Sequence, residues 1–313
     1  MAKRNAGDTS VAVLMGGWSA ERAVSLSSGE ACSRALRQAG FMVVPIDVTR
    51  DRIVSILQDL KPDVVFNALH GKWGEDGCAA AVLETLQIPY THSGVLASSL
   101  AMHKEKSKTL FRAAGIPVAE SKLVEVDQVA ASHPMPPPYV VKPVAEGSSV
   151  GVHIVTASAN GPASIILEQR EIFGTHAMVE RFIPGKELTC AVMGDVALGV
   201  IDIVSQGFFY DYVSKYAPGG SRHILPAEIP TDIYRQCQQY ALMAHKALGC
   251  RGVTRSDFRY NTTMGPEGEL ILLEINTQPG MTGTSLVPEL ANHAGHSFPD
   301  LVTWMVNDAS VDR

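Results

Sequence analysis

Three features predict an α/β protein with more than one subdomain. Strand and helix signals alternate from Ser10 to Leu86, glycine-rich turns follow the strands, and an acid-bearing strand pair lies near the C-terminal end. Alternation at this spacing predicts a parallel N-terminal sheet, whose ligands gather at the carboxyl ends of the strands. At 313 residues the chain is long for one hydrophobic core, so two or three subdomains are expected.

Ser10 to Gly17 (SVAVLMGG) reads as a strand entering a Gly pair. The helix that follows runs to Ala39, with Gly40 as its stop. Free N–H groups where such a helix begins suit an anion, although the GxGxxG spacing of a dinucleotide site is absent. By position alone, Glu21 is a first-turn acid complementing the helix dipole. Phe41 to Val48 is a strand, Arg52 to Leu60 a helix and Asp63 to Leu69 a strand. His70 to Gly77 is too rich in glycine for regular structure. His70 stands at a strand's carboxyl end, where a loop histidine and a ligand contact are equally well accounted for.

Cys78 to Leu86 is helical, and Pro89 to Gly94 is a short strand and turn. Val95 to Ala114 reads as one helix stopped at Gly115-Ile116-Pro117, with Lys104, Lys106 and Lys108 on a solvated face. The proline-rich run from Ala130 to Pro138 is the sharpest composition break, so a new unit is under way there. Tyr139 to Pro143 is a strand with Lys142 in an apolar context, and Val144 to Val152 is a Gly/Ser loop leading into the strand HIVTA. Backbone N–H groups of such a loop can close on phosphate oxygens, Lys142 can supply a point charge, and the loop is a candidate lid.

Ile165 to Phe173 is predicted helical, His176 to Ile183 a strand, Pro184-Gly185 a turn and Glu187 to Met193 a strand. Gly207 to Gly220 concentrates Tyr210, Tyr212, Lys215 and Tyr216 among glycines and reads as a mobile cover. Thr231 to Leu248 is a helix ended by Gly249.

The chain then reaches its most informative stretch. Gly252 to Tyr260 and Leu270 to Leu273 read as strands joined by a turn of Asn, Gly and Pro content. Side chains alternate on a strand, so Arg255 and Asp257 share one face, as do Glu274 and Asn276. A symmetric hairpin sets Asp257 opposite Glu274. Two carboxylates and an amide oxygen, without His or Cys, suit Mg²⁺ or Mn²⁺. A plain ion pair between Asp257 and Arg255 accounts for part of the same pattern. An acid placed straight after four apolar residues, however, is costly to bury unpartnered.

Composition narrows the function classes. Hydrophobic content of 46% with 19% charged residues is that of a globular protein. A net charge of -6 and a pI near 5.9 argue against nucleic acid or an anionic membrane as partner. No apolar signal region or spanning stretch is seen, and five scattered cysteines (Cys32, Cys78, Cys190, Cys237, Cys250) lack a CxxC, so a reducing cytoplasm is expected.

The motifs LMGGWSAERAVSL, NALHGKWGEDG, VVKPVAEGSSVGV, FYDYVSKY, TRSDF and LLEINTQPGMTGTSLVP, in this order, resemble the D-alanine–D-alanine ligases of the ATP-grasp superfamily. The resemblance covers Val11 to Val302. It implies an N-terminal α/β substrate domain (1–101), a central ATP-grasp subdomain (102–186) and a C-terminal ATP-grasp subdomain carrying the metal and catalytic site (187–313). Two Mg²⁺ or Mn²⁺ ions are implied on Asp257, Glu274 and Asn276. ATP is implied against Lys104, Lys142 and Lys215, with Glu180, Phe182 and Ile183 at the adenine and Glu187 near the ribose.

By the same resemblance Glu21 takes the first D-alanine's ammonium, in a network with Ser148 and Tyr216, and His70 lies beside the substrate. Arg255 and the Gly280 N–H form the oxyanion site, and Ser285 with Leu286 receives the second D-alanine. Tyr216 points to the amide-forming type, since relatives making a D-lactate ester tend to have Phe there. A homodimer is the family's habit.

Several positions depart from the family pattern: His103 where Asp is common, Thr254 and Ser256 where Gly and Ile are common, Gln278 where Ser is common, and His92. Another ATP-grasp carboxylate–amine ligase is the nearest rival reading. A catalytically silent nucleotide-binding module comes next, and a Rossmann oxidoreductase last.

Overall fold

The structure, a computed structural model, describes residues 4–148, 150–159, 161–205, 220–265 and 267–313. Strands β1 (Ser10–Gly16), β2 (Met42–Val48) and β3 (Val64–Asn67) form a parallel sheet in the order β2-β1-β3. Alternation along β1 divides its side chains between two cores. Val11 and Val13 join one, while Ala12 and Leu14 face the other, which α2 (Ile53–Leu60) and α3 (Cys78–Leu86) cover. α1 (Arg22–Gln38) packs on the first face, contributing Cys32 and Leu36. The expected strand at Pro89 to Gly94 is reduced to bridges from Tyr90 to Val65 and to Ser310.

A second sheet is antiparallel, in the order β4-β7-β5-β6, built from β4 (Ser121–Glu125), β5 (Tyr139–Pro143), β6 (His153–Val155) and β7 (His176–Arg181). The third has the order β10-β9-β8-β11-β12 and contains β8 (Lys186–Met193), β9 (Val196–Ser205), β10 (Ser221–Ile224), β11 (Val253–Asn261) and β12 (Glu269–Asn276). The long helix Thr231–Ala247 covers it through Ile233, Cys237, Ala241 and Ala244. The C-terminal helices Leu286–His293 and Phe298–Asp308 lie in the core they share with β1, so the chain's end packs beneath its beginning. Four of the five cysteines are buried and Cys78 is exposed, all as free thiols.

Three expectations need correction. The helix predicted from Val95 to Ala114 is two, Val95–Met102 and Lys104–Ala113, because His103 leaves helical geometry (φ -89°, ψ 91°) and its Nδ1 accepts the Lys106 N–H. The lysines after it are not a solvated face. Lys104 and Lys108, one turn apart, point inward and are buried, and only Lys106 is exposed. Ile165 to Phe173 is a 3-10 turn (Ser164–Gln169) leading into one short α-turn (Arg170–Phe173).

The hairpin agrees with the sequence in pairing and adds a detail. Asp257 lies opposite Glu274 and Arg255 opposite Asn276. Nearer the turn, however, Phe258 pairs with Leu272, so Leu273 is an extra residue in a bulge. Without that bulge the turn's register would bring Leu273 opposite Asp257; with it, the carboxylate arrives there.

Candidate active site

Two clefts meet at this hairpin. One lies open between the second and third sheets, and Val140, Val150, Val152, Phe182, Ile183 and Leu273 give it apolar walls. The other, also open to solvent, is lined by Glu21, His70, Ser148, Arg255, Gly280, Ser285 and Leu286, among others. Lys104, Glu146 and Glu274 line both. They form the wall through which one ligand would act on another.

The acids of the hairpin are held by donors. Arg255 grips Asp257 with two parallel bonds, Nε to Oδ1 at 2.9 Å and Nη2 to Oδ2 at 2.7 Å, and Thr189 Oγ1 donates to Asp257 Oδ1 at 2.7 Å. The ion pair that the sequence offered as one reading of Asp257 is therefore present. Glu274 Oε2 lies 3.1 Å from Lys104 Nζ, which also donates to the Glu146 carbonyl at 2.6 Å. Asn276 Oδ1 accepts the Gln278 N–H at 2.9 Å. Among the described residues no group of three or more His, Cys, Asp or Glu side chains forms a metal cluster. Two carboxylates and an amide oxygen fit a hard cation that fills the rest of its shell with water and phosphate oxygens.

On the wall of the first cleft, Glu180 bonds to Lys142 with one carboxylate oxygen and, behind it, to Lys108 with the other. Burial alone would raise the Glu180 carboxyl, but the two ammonium groups outweigh it and hold it down to about 2. Burial pulls Lys108 down to about 8, with Glu180 opposing and the charge of Lys142 adding to the fall. Farther along the same wall, Arg259 donates to the Ile183 carbonyl at 3.0 Å and pairs with Glu187 at 3.1 Å.

The second cleft is assembled from distant segments. Ser148, with a left-handed backbone (φ 51°), donates from Oγ to Glu21 Oε2 at 2.6 Å. A Cβ on Gly147 would come within 2.9 Å of Glu21 Oε1, so glycine permits this approach. His70 is buried between Glu75 at Nδ1 and Ser28 Oγ at Nε2, each 3.0 Å away. Ser28 Oγ also accepts the Met281 N–H at 3.2 Å, which ties the His70 loop to the residue after Gly280. Ser285 Oγ accepts the Thr282 N–H at 2.9 Å, just before the buried Leu286.

The two clefts thus gather every described candidate, namely Glu21, His70, Lys104, Lys142, Ser148, Glu180, Phe182, Ile183, Glu187, Arg255, Asp257, Glu274, Asn276, Gly280, Ser285 and Leu286. Lys215 and Tyr216 lie outside the described residues. Sequence reasoning missed Ser28, Glu75, Lys108, Glu146 and Thr189. Only Lys108 left a usable signal, its one-turn spacing from Lys104. Gln278, noted as a departure, has a clear place. Its side chain accepts from Asn67 Nδ2 at 2.8 Å and donates to the Leu69 carbonyl, so it joins the hairpin's end to β3.

Two antiparallel sheets closing on one cleft, with an acid-bearing hairpin at its edge, are the arrangement of an ATP-grasp fold. A family profile described as "D-ala D-ala ligase C-terminus" matches residues 110–307. The D-alanine--D-alanine ligase of Parvibaculum lavamentivorans is 61% identical over 303 residues, covering 97% of this chain and 98% of that protein. Among solved structures, the D-alanine--D-alanine ligase of Bacillus anthracis complexed with ATP superposes with a TM-score of 0.77 at 29% identity, covering 97% of each chain. The VanG D-Ala:D-Ser ligase of Enterococcus faecalis gives 0.76 at 29%, covering 95% of this chain and 98% of that one. The chain belongs to the D-alanine–D-alanine ligase family.

Proposed function

We propose that this chain joins two D-alanines into D-alanyl-D-alanine at the expense of ATP, for peptidoglycan precursor synthesis. The observation that carries the reading is the wall of Lys104, Glu146 and Glu274 common to both clefts. It lets a nucleotide in the apolar cleft and an amino acid in the polar one meet end to end.

A carboxylate is a poor acyl donor, so the first D-alanine needs activation as an acyl phosphate, ADP leaving. Glu21, steadied by Ser148, holds its ammonium, and His70, fixed on both ring nitrogens, borders it. Lys142 and Lys104 face the phosphates, and Lys215 is read as a third cation for them. Phe182 and Ile183 flank the adenine beside Glu180, and Glu187 lies near the ribose. Asp257, Glu274 and Asn276 would hold two Mg²⁺ or Mn²⁺ ions, which when bound offset the charge on the transferring phosphoryl group. The amine of the second D-alanine, received by Ser285 and Leu286, attacks the activated carbonyl. Arg255 and the Gly280 N–H stabilise the tetrahedral oxyanion, and phosphate departs. Tyr216 would join the network of Glu21 and Ser148, and keeping water from the site protects the acyl phosphate from hydrolysis.

The reading also carries three functional units at 1–101, 102–186 and 187–313, a cytoplasmic location and a homodimer. Among the described residues no helix is long and apolar enough to cross a membrane. Sedimentation would measure the assembly state. The deciding test is phosphate release from ATP with D-alanine, L-alanine and D-lactate side by side. D-alanine should support rapid release with dipeptide formed. Release with a different amino acid alone would move the chain to another carboxylate–amine ligase activity.

A further inference from the structure

We infer that Lys108 is a positioning residue for the phosphate end of the nucleotide. It occupies one oxygen of Glu180, so that Lys142, on the other, keeps charge to present to the cleft. The inference rests on the reading that this cleft holds ATP.

Glu180 and Lys142 both line the cleft, whereas Lys108 stands behind them with no exposure to solvent. Two ammonium groups and one carboxylate carry a net positive charge when all are ionised. Without Lys108, both oxygens of Glu180 would turn to Lys142, and the pair facing the nucleotide would be neutral. Lys142 would then remain a hydrogen-bond donor but lose most of its field toward a polyphosphate.

A scaffolding role does not account for this arrangement. A fully buried cation carries a large desolvation penalty, and an apolar side chain of similar volume often serves packing as well or better. Here the penalty is visible as the fall in the Lys108 pKa to about 8, deepened by its repulsion from Lys142. The chain places the second cation there deliberately, too: the break at His103 begins a new helix whose inward face carries both Lys104 and Lys108. One of these lysines reaches the shared wall and the other supports Lys142 from behind.

The test compares ADP with adenosine, which share the base and ribose and differ in the phosphates, by titration calorimetry on the full chain. Lys108→Met should weaken ADP about tenfold, the worth of one charge-assisted hydrogen bond, and leave adenosine within about twofold. Lys108→Arg should restore the wild-type ratio of the two affinities. Equal losses for ADP and adenosine, or no loss for either, would overturn the inference. If Lys108→Met does not fold, Lys108→Gln takes its place: it keeps a hydrogen-bond donor for Glu180 and removes only the charge, so ADP should weaken relative to adenosine as with Met, and an unchanged ratio would overturn the proposal. Failure of wild-type protein to bind ADP would instead strike the ATP reading itself.

Discussion

The two clefts are built by different rules. The walls of the nucleotide cleft come from neighbouring strands of two antiparallel sheets, and its charges are fixed by ion pairs: Glu180 with two lysines, Glu187 with Arg259, Asp257 with Arg255. The amino-acid cleft is a meeting of chain segments far apart in sequence, joined mainly by hydroxyl and amide hydrogen bonds: Ser148 to Glu21, Ser28 to His70 and Met281, Gln278 to Asn67. A polyanionic ligand calls for a fixed positive field, whereas a small zwitterion calls for donors and acceptors placed to suit it. The difference predicts which substitutions act on one substrate and which on both.

The largest effect belongs to the wall both clefts share. Glu274→Gln keeps the shape and removes the charge that a cation requires, so kcat should fall at least about a thousandfold. Coupled-assay turnover with saturating D-alanine and ATP measures it. Retention of turnover within about tenfold would remove the physical basis of the ligase mechanism.

Arg255 comes next because it touches both sides, paired with Asp257 and lining the amino-acid cleft. Lysine cannot reproduce two parallel bonds to a carboxylate while presenting a donor to an oxyanion. Arg255→Lys should therefore lower dipeptide formation about a hundredfold. A pulse-quench measurement should show ADP formation exceeding dipeptide formation, since activation precedes the step that the oxyanion site assists. Equal losses in both would place Arg255 in the first step instead.

Ser148→Ala should separate the clefts. Its hydroxyl donates to Glu21 and the residue lines the amino-acid cleft, so the KM for D-alanine should rise about tenfold while the KM for ATP stays within about twofold. A matching rise for ATP would show that the Gly/Ser loop serves both ligands and would dissolve the distinction.

The same contrast explains what the sequence made legible. The hairpin was readable because side-chain alternation and a symmetric turn are local rules, and they put Asp257 opposite Glu274 as observed. The bulge at Leu273 was not, since nothing local distinguishes a symmetric turn from one corrected by an extra residue. Lys108 was misread as exposed because charge on a helix is usually solvated, and only Glu180, on a strand far along the chain, reverses that. Ser28 and Glu75 are common polar residues in unremarkable contexts whose partners are set by tertiary contact. The resemblance to known ligases supplied most of the candidate residues of the amino-acid cleft, and residue chemistry supplied those of the proposed cation site. β4 and β10 offer no clear buried face and carry little periodic signal.

The smallest effect tests whether either cleft limits stability in acid. Glu180 stays ionised down to about 2, so the nucleotide cleft keeps its central carboxylate through mild acid. Two buried histidines do not have that tolerance. Burial pushes His92 down to about 3, helped by the charges of His70 and Arg313, and pushes His245 down to about 4. Their unfolded values lie near 6.5, so as pH falls below that point the unfolded chain binds protons the folded chain refuses. Each histidine's contribution is fully present above about 6.5 and is lost as pH falls toward its folded value, at about 1.4 kcal/mol per pH unit.

His92 is the sharper probe, since it is the more depressed of the two buried histidines and its backbone is left-handed at φ 70°. Asparagine accepts that backbone and does not titrate. In His92→Asn, unfolding free energy from denaturant titrations between pH 6.5 and pH 4.5 should fall less steeply than in wild type, by about one protonation's slope. Parallel curves would mean that acid enters through the carboxylates of the clefts after all.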